Sequence, residues 1–389
     1  MPYVTRALSD TVIRAAKALP VVVLTGPRRA GKTTLLRKLF PLASYALLED
    51  PDVVAAARAD PRGFLDSLKL PAIVDEIQNV PELLNYIRAR VDQTPNRKGR
   101  WLLTGSQDFA LMRGVSESMA GRAAILQLLP LSTQESAKVS MFRGGFPEVL
   151  ARPGAAALWF QSYLQTYLER DVRQLSQVRD LPTFRRFLSL LASRSGQILN
   201  KTDLAAPLGL SVPTMTEWLN ILETTGQILM VQPYFESFGK RLITSPKVYF
   251  ADSGLACHLL GLQTPQELKR SSFAGSIFEG FIASEIVKLQ INAGKARALY
   301  FFRDQRGLEV DFVVPSSADQ LTLIEAKSST TVYPQSAASM LILLGNMGKR
   351  RVQSLVVHAG KSTDMPVALS PGAKATGITG LLAALQLRR

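Results

Sequence analysis

Gly26-Pro27-Arg28-Arg29-Ala30-Gly31-Lys32-Thr33 fits the pattern G-x-x-x-x-G-K-[ST], and no other stretch restricts the fold of this chain as strongly. A run of β-branched and apolar residues, Val21 to Thr25, leads directly into it, as in a strand buried on both faces of a parallel sheet. Thr33 to Phe40 then reads as a helix. A strand, a glycine-rich turn and a helix in that order aim free backbone N–H groups and the positive helix end at one point, where phosphate binds. Gly26 and Gly31 let the backbone approach that phosphate closely. Pro27, Arg28, Arg29 and Ala30 complete the loop. Lys32 is placed to reach the β- and γ-phosphates, Thr33 to hold Mg²⁺ through its hydroxyl, and Thr34 to cap the α-phosphate. The expected ligands are ATP and Mg²⁺.

Further elements agree with this site. Ala72-Ile73-Val74-Asp75-Glu76 is an apolar strand ending in two carboxylates. Asp75 is expected to orient the Mg²⁺ shell and Glu76 to polarise the attacking water. Trp101-Leu102-Leu103-Thr104-Gly105-Ser106 is a strand followed by small polar residues, and Thr104 or Ser106 is expected to sense the γ-phosphate. Charge developing on the transferred phosphoryl group calls for an arginine, in cis or from a neighbouring subunit. Arg122 is the first candidate, with Arg28 and Arg29 as alternatives. An arginine acting in trans requires a homo-oligomer, which is the expected assembly.

Strands at 21–25, 45–48, 72–74, 100–104 and 124–129 alternate with helices at 11–19 (Asp10 as N-cap), 33–40 and 81–91. This predicts an open α/β sheet over residues 1–150. The pattern changes near 150. Residues 156–194 are rich in helix formers at 3.6-residue spacing, and 202–224 form a helix–turn–helix around Gly209-Leu210-Ser211. Strands at 227–234 and 247–250 flank a glycine-containing loop, a candidate wing. Residues 151–270 therefore read as a helical and winged-helix domain. From 271 to 389 a helix at 278–289 and strands at 299–302, 308–314, 321–326 and 351–357 predict a third, α/β domain, with a helix at 381–389.

The net charge of +15 favours polyanionic partners, with DNA ahead of RNA, although the excess is spread along the chain. Arg170, Arg173, Arg179, Arg185, Arg186 and Arg194 read either as a phosphate-tracking face or as a solvated helix face. The second helix of the helix–turn–helix opens with Pro213, Thr214, Met215, Thr216, Glu217 and Trp218, none of them Arg or Lys, which argues against base readout. Lys201, Lys240 and Arg241 remain as phosphate contacts. No apolar run reaches the roughly 18 residues of a membrane span, and Met1 to Asp10 has no signal core, so a cytoplasmic protein off the membrane is expected. One cysteine and two histidines exclude a disulfide framework and a Cys/His zinc site. Cys257-His258 reads as a helix end after Asp252-Ser253-Gly254.

Taken together, the phosphate loop, Val74-Asp75-Glu76-Ile77-Gln78, Leu103-Thr104-Gly105-Ser106, Ala120-Gly121-Arg122, Leu129-Pro130-Leu131-Ser132, Gly144-Gly145-Phe146-Pro147 and Tyr167-Leu168-Glu169-Arg170-Asp171-Val172 resemble a known group. It is that of the bacterial and archaeal AAA-type ATPases with a C-terminal domain of unknown function and a restriction-endonuclease-like core. The resemblance runs over nearly the whole chain. It implies an ATPase domain, a helical and winged-helix middle and a nuclease-like end. Gly275-Ser276-Ile277-Phe278-Glu279, Glu309-Val310-Asp311-Phe312-Val313 and Ile324-Glu325-Ala326-Lys327 resemble the PD-(D/E)xK nuclease core. In a strand Glu325 and Lys327 share a face. By that resemblance Asp311 and Glu325 bind Mg²⁺, Lys327 orients water or stabilises the phosphorane, and Glu279 supports the metal shell. Two functions follow: an ATPase whose hydrolysis drives action on nucleic acid with a nuclease-like module, or a nucleotide switch that binds another protein and cuts nothing.

Overall fold

A computed structural model describes residues 3–105, 119–168, 180–234, 244–317, 319–345, 347, 350–360 and 365–386. Ser106, the 169–172 motif, Arg170, Arg173, Arg179, Lys240 and Arg241 lie outside the described residues.

The first layer is built on α1 (Ser9–Ala18), β1 (Val21–Thr25), α2 (Lys32–Leu39), β2 (Ser44–Leu47), α3 (Pro51–Ala59), α4 (Pro61–Ser67), β3 (Ala72–Asp75), α5 (Leu83–Gln93), β4 (Trp101–Thr104) and β5 (Ala123–Gln127). The five strands form a wholly parallel sheet in the order β2-β3-β4-β1-β5. Its central strands β1, β3 and β4 are buried at every residue, and apolar up to the last one, because helices cover both faces. Val21 and Val23 of β1 pack with Val74, Leu103, Leu84 and Ile87, under α5. Val22 and Leu24 point the other way, to Val12 of α1 and Leu35 and Leu36 of α2. α1 begins at Ser9 behind Leu8, so Asp10 is not its N-cap but a first-turn residue, where its charge still complements the helix dipole.

The middle section contains α6 (Pro147–Ala151), α7 (Ala156–Tyr163), α8 (Leu181–Ser193), α9 (Lys201–Ala205), α10 (Val212–Thr224), β6 (Ile228–Pro233), β7 (Lys247–Phe250), α11 (Ser253–Leu259) and α12 (Pro265–Arg270). Its helices close around Phe146, Phe160, Tyr163, Phe184, Phe187 and Trp218. Ser211 caps α10 by accepting the Thr214 N–H, which fixes the turn between α9 and α10. β6 and β7 pair antiparallel. Most of the loop of the expected wing, 235–243, lies outside the described residues.

The last section has α13 (Ala274–Asn292), β8 (Tyr300–Arg303), β9 (Glu309–Ser317), β10 (Gln320–Lys327), α14 (Ala338–Leu344), β11 (Arg351–His358), β12 (Val367–Ser370), β13 (Ala373–Thr376) and α15 (Ile378–Gln386). β8, β9 and β10 form an antiparallel meander, and β11 runs parallel to β10 after the α14 crossover. The sheet does not end at residue 271. β6 joins β8 through Gln232 and Pro233, giving eight strands in the order β12-β13-β11-β10-β9-β8-β6-β7. Leu229, Val231 and Tyr249 of the hairpin therefore share one core with Phe278, Ile282 and Ile286 of α13. α14 covers the opposite face through Met340 and Leu343. Among the described residues no helix is long and apolar enough to cross a membrane.

Candidate nucleotide site and C-terminal charge cluster

The phosphate loop is held in a conformation that only its own sequence permits. Gly26 has φ +134°, and a Cβ there would stand 2.2 Å from the Leu128 carbonyl oxygen. The loop thus lies against the chain leaving β5, closer than any side chain allows. Lys32 is buried, and its ammonium donates to the carbonyls of Gly26 (3.0 Å) and Pro27 (3.1 Å). A fixed cation therefore stands at the helix N-terminus, where phosphate oxygens would enter.

The start of α2, the strand β2 and the end of β4 come together on Asp75, the last residue of β3. Its carboxylate accepts the Thr33 hydroxyl (2.9 Å to Oδ2) and the Tyr45 phenol (2.7 Å), and the Thr104 hydroxyl donates to it as well. Burial and the bond to Asp75 raise the Tyr45 phenol above its ordinary value. Thr33 and Asp75 make a hard-oxygen donor set beside Lys32, which suits Mg²⁺. Glu76 follows in a left-handed backbone conformation, φ +58°, and its N–H donates to Thr104 Oγ (3.2 Å) while the Gln78 amide donates to its carboxylate. Thr104 is fully buried, and its hydroxyl is engaged by the Asp75 carboxylate and the Glu76 backbone N–H. Tyr45 carries no motif; its role depends on β2 lying beside β3, and no pattern in the sequence announces it.

The remaining loop residues divide, with Arg28 and Ala30 buried and Arg29 and Thr34 exposed. Arg28 pairs with Glu49 at 3.1 Å, and Arg29 faces Glu148 of α6 at 3.7 Å. Arg122 is not brought to the phosphates of its own chain. It precedes β5, and its carbonyl accepts the N–H of Val21, at the start of β1, whereas the phosphate loop begins at the end of β1. Its guanidinium holds Asp92 of α5 through two bonds, 2.6 and 3.2 Å.

A second cluster sits in the C-terminal sheet. Glu279 of α13, Asp311 of β9 and Lys327 of β10 line a cleft of about 590 Å³ together with Ser195, Gly196 and Ser328. Lys247, the first residue of β7, enters the group from the side. Its ammonium is 2.9 Å from Glu279, 2.6 Å from Glu309 and 3.9 Å from Asp311, with a side chain only 3% exposed. Lys327 pairs with Glu325 at 2.8 Å, and Asp311 accepts the Ala326 N–H at 2.9 Å. Burial, with Asp311 nearby, pushes Glu279 and Glu325 up to about 7. Burial opposes the charge on Lys247, but the facing carboxylates outweigh it and raise its pKa. Asp311 and Glu325 were expected to bind Mg²⁺ and Glu279 to support its shell, and the structure places an ammonium among them. Among the described residues no three His, Cys, Asp or Glu groups come together to hold a metal ion. Lys247 supplies these carboxylates with counter-charge of the kind that a divalent cation would bring.

Cys257 is buried in α11, which Asp252 caps. Burial pushes its thiol up to about 12, so it is no nucleophile.

Three family models match along the chain. Residues 19–137 match an AAA domain. Residues 134–266 match a domain of unknown function, DUF8612, and residues 274–369 match another, DUF4143. The chain is 34% identical over 343 residues to the uncharacterized protein Rv2008c of Mycobacterium tuberculosis, covering 86% of this chain and 77% of that one. The same values hold for the uncharacterized protein Mb2031c of Mycobacterium bovis. The chain belongs to the family of these two proteins, and its N-terminal domain is a P-loop ATPase domain of the AAA type. Among solved structures it is similar to the Walker-type ATPase PABY2304 of Pyrococcus abyssi, with 18% identity, a TM-score of 0.45, and coverage of 65% of this chain and 94% of that one.

Proposed function

We propose that this protein is a Mg²⁺-dependent ATPase that works as a nucleotide-driven switch, presenting or withdrawing a surface for another protein. The observation that carries this reading is that the phosphate loop is also a domain contact. Pro27 lies under Gly226, where a Cβ would meet Pro27 Cδ at 3.2 Å, and Arg29 faces Glu148. The middle section thus touches the loop on two sides.

In hydrolysis Lys32 would bind the β- and γ-phosphates, and Thr33 and Asp75 would hold Mg²⁺, which supplies charge to the phosphoryl oxygens. Glu76 would take the proton of the attacking water as the bond from the γ-phosphorus to the leaving ADP oxygen breaks. Phosphate arriving at Lys32 competes with the carbonyls of Gly26 and Pro27 for its ammonium. Pro27 is the residue that rests on Gly226, so nucleotide state bears directly on the middle section. The partner surface includes the start of α10, where Val212, Pro213 and Glu217 are exposed and no basic residue occurs in the helix. Such a surface suits protein docking better than base readout.

The test compares hydrogen exchange of residues 147–151 and 224–228 with MgADP and with MgATP held on Glu76→Gln. A difference confined to these segments and the loop supports the switch; identical exchange in the two states removes it. A second reading, ATP-driven action on nucleic acid with DNA ahead of RNA, is favoured by the net charge of +15. ATP turnover that rises with duplex DNA and falls back with added salt would select it over protein docking. In either reading Lys247 among the carboxylates argues against metal-dependent cleavage.

A further inference from the structure

Arg6 precedes the first helix and belongs to none of the motifs. Its side chain is 5% exposed and makes three bonds in three directions. Nη1 donates to the carbonyl of Ala30 (2.8 Å), Nη2 to that of Leu129 (2.7 Å), and Nε to Glu135 Oε1 (2.9 Å). A guanidinium keeps its charge at any ordinary pH. Buried in this way, it is stable only while its acceptors stay in place. Ala30 lies between Arg29 and Gly31, in the turn that aims the N–H groups of Gly31, Lys32 and Thr33 at phosphate. Arg6 therefore fixes the loop from behind.

The other end of this contact is fixed by the C-terminal section. Glu135 also accepts the N–H groups of Ala7 and Ser132, each at 2.8 Å, which folds the 129–135 segment around Arg6. Two residues further inside α13 grip the same segment. Glu285 accepts the Thr133 N–H (2.8 Å) and hydroxyl (2.5 Å). Lys288 donates to the Leu131 carbonyl (3.1 Å) and pairs with Glu285 (3.0 Å). Both side chains are buried, at 0% and 3% exposure. The end of α13 holds α1 too, where Thr11 donates to the Asn292 carbonyl at 2.9 Å. Arg6 thus stands between two contacts of one helix.

We propose that Arg6 is a positioning residue for the phosphate loop, and that α13, through Glu285 and Lys288 on the 129–135 segment, sets where Arg6 stands, so that nucleotide affinity depends on the C-terminal domain. This rests on the ATP-site reading. It also gives a use to Leu129-Pro130-Leu131-Ser132, which the catalytic residues do not explain.

The test is calorimetric titration of MgADP into the full chain, alongside kcat and KM for ATP. The proteins are wild type, Arg6→Lys, Arg6→Met and the paired change Glu285→Gln with Lys288→Met. Arg6→Met is expected to raise Kd and KM about tenfold, the scale of a lost charge-assisted bond, with kcat within about twofold. Arg6→Lys should restore the melting temperature and still weaken MgADP, because an ammonium cannot span acceptors that the planar fork reaches together. If Arg6→Met does not fold, Arg6→Lys decides alone. The paired change removes both buried charges at once and should raise Kd about threefold. Unchanged Kd in both Arg6 variants, or a loss confined to kcat, overturns the role of Arg6. Unchanged Kd in the folded paired variant overturns the dependence on α13. Wild type that binds MgADP but turns over no ATP would sink the ATPase reading and leave this inference standing; wild type that does not bind MgADP ends both.

Discussion

Lys247→Met removes the ammonium from the C-terminal cluster and keeps most of the side-chain volume. In wild type this ammonium lies 2.9 Å from Glu279 and 2.6 Å from Glu309, and 3.9 Å from Asp311. Breaking a buried pair by removing one partner costs about 3–5 kcal/mol, because the other charge is left uncompensated. Here more than one carboxylate is left, which places the loss towards the upper part of that range at neutral pH. The pH dependence follows from the signs. Glu279 and Glu325 already stand at about 7 in the fold, above the ordinary carboxylate value. Between the two values the folded form holds protons that the unfolded form has lost, so these groups reduce stability as pH rises towards 7. Without Lys247 the acids rise further, so the variant should go on losing stability above pH 7, where wild type levels off. Hydrogen exchange of β9 and β10 in the intact chain reads this locally and avoids assuming that all domains unfold together. Mn²⁺ should protect the variant, by about 2.7 kcal/mol at a hundred times its Kd, and leave wild type unchanged. Equal exchange in variant and wild type, or Mn²⁺ protection of wild type, would refute the claim that Lys247 takes the place of a metal.

Gly26→Ala should reduce MgATP binding more than a hundredfold, since its Cβ would overlap the Leu128 carbonyl and φ is +134°; wild-type affinity by calorimetry would contradict the loop geometry. Glu76→Gln should bind MgATP within about threefold of wild type and lose turnover by about a hundredfold or more; rapid single-turnover hydrolysis would remove Glu76 as the base. Arg122→Ala should hydrolyse within about twofold of wild type at every protein concentration, because the side chain holds Asp92 at the far end of β1. A loss that grows with protein concentration would instead place Arg122 in a neighbour's site.

The parallel sheet was legible because burial on both faces gives strands such as Val21–Thr25 an unbroken apolar run, and the phosphate loop fixed what must follow. Lys32, Thr33 and Asp75 could be named for the same reason, since each is tied to a strand end. What could not be read was contact between distant segments. Tyr45 reaches Asp75 only because β2 lies beside β3, and Arg6 reaches Ala30 from an N-terminal stretch with no pattern of its own. Lys247 is the clearest case. Read alone, 247–250 is one strand of a wing, and only the pairing of β6 with β8 carries Lys247 into the C-terminal carboxylates. Glu325 and Lys327 share a face of β10, as strand alternation requires, yet the charge balance around them is set by a residue about 60 positions upstream of Asp311 in another section of the chain. Arg122 is a different case: it was expected to act in cis or from a neighbouring subunit, and in its own chain it precedes β5 and holds Asp92, whereas the ends of the strands face the site.

Everything proposed for the N-terminal domain depends on ATP hydrolysis at Lys32, Thr33, Asp75 and Glu76 with Mg²⁺. Its most direct test is the phosphate released from ATP by the purified full chain with Mg²⁺, with excess EDTA, and with Lys32→Ala in place of wild type. Wild type with Mg²⁺ should release phosphate steadily, with background release in the other two. Release that survives EDTA or the Lys32→Ala change, or a wild type that binds MgATP and never releases phosphate, would contradict hydrolysis at this site.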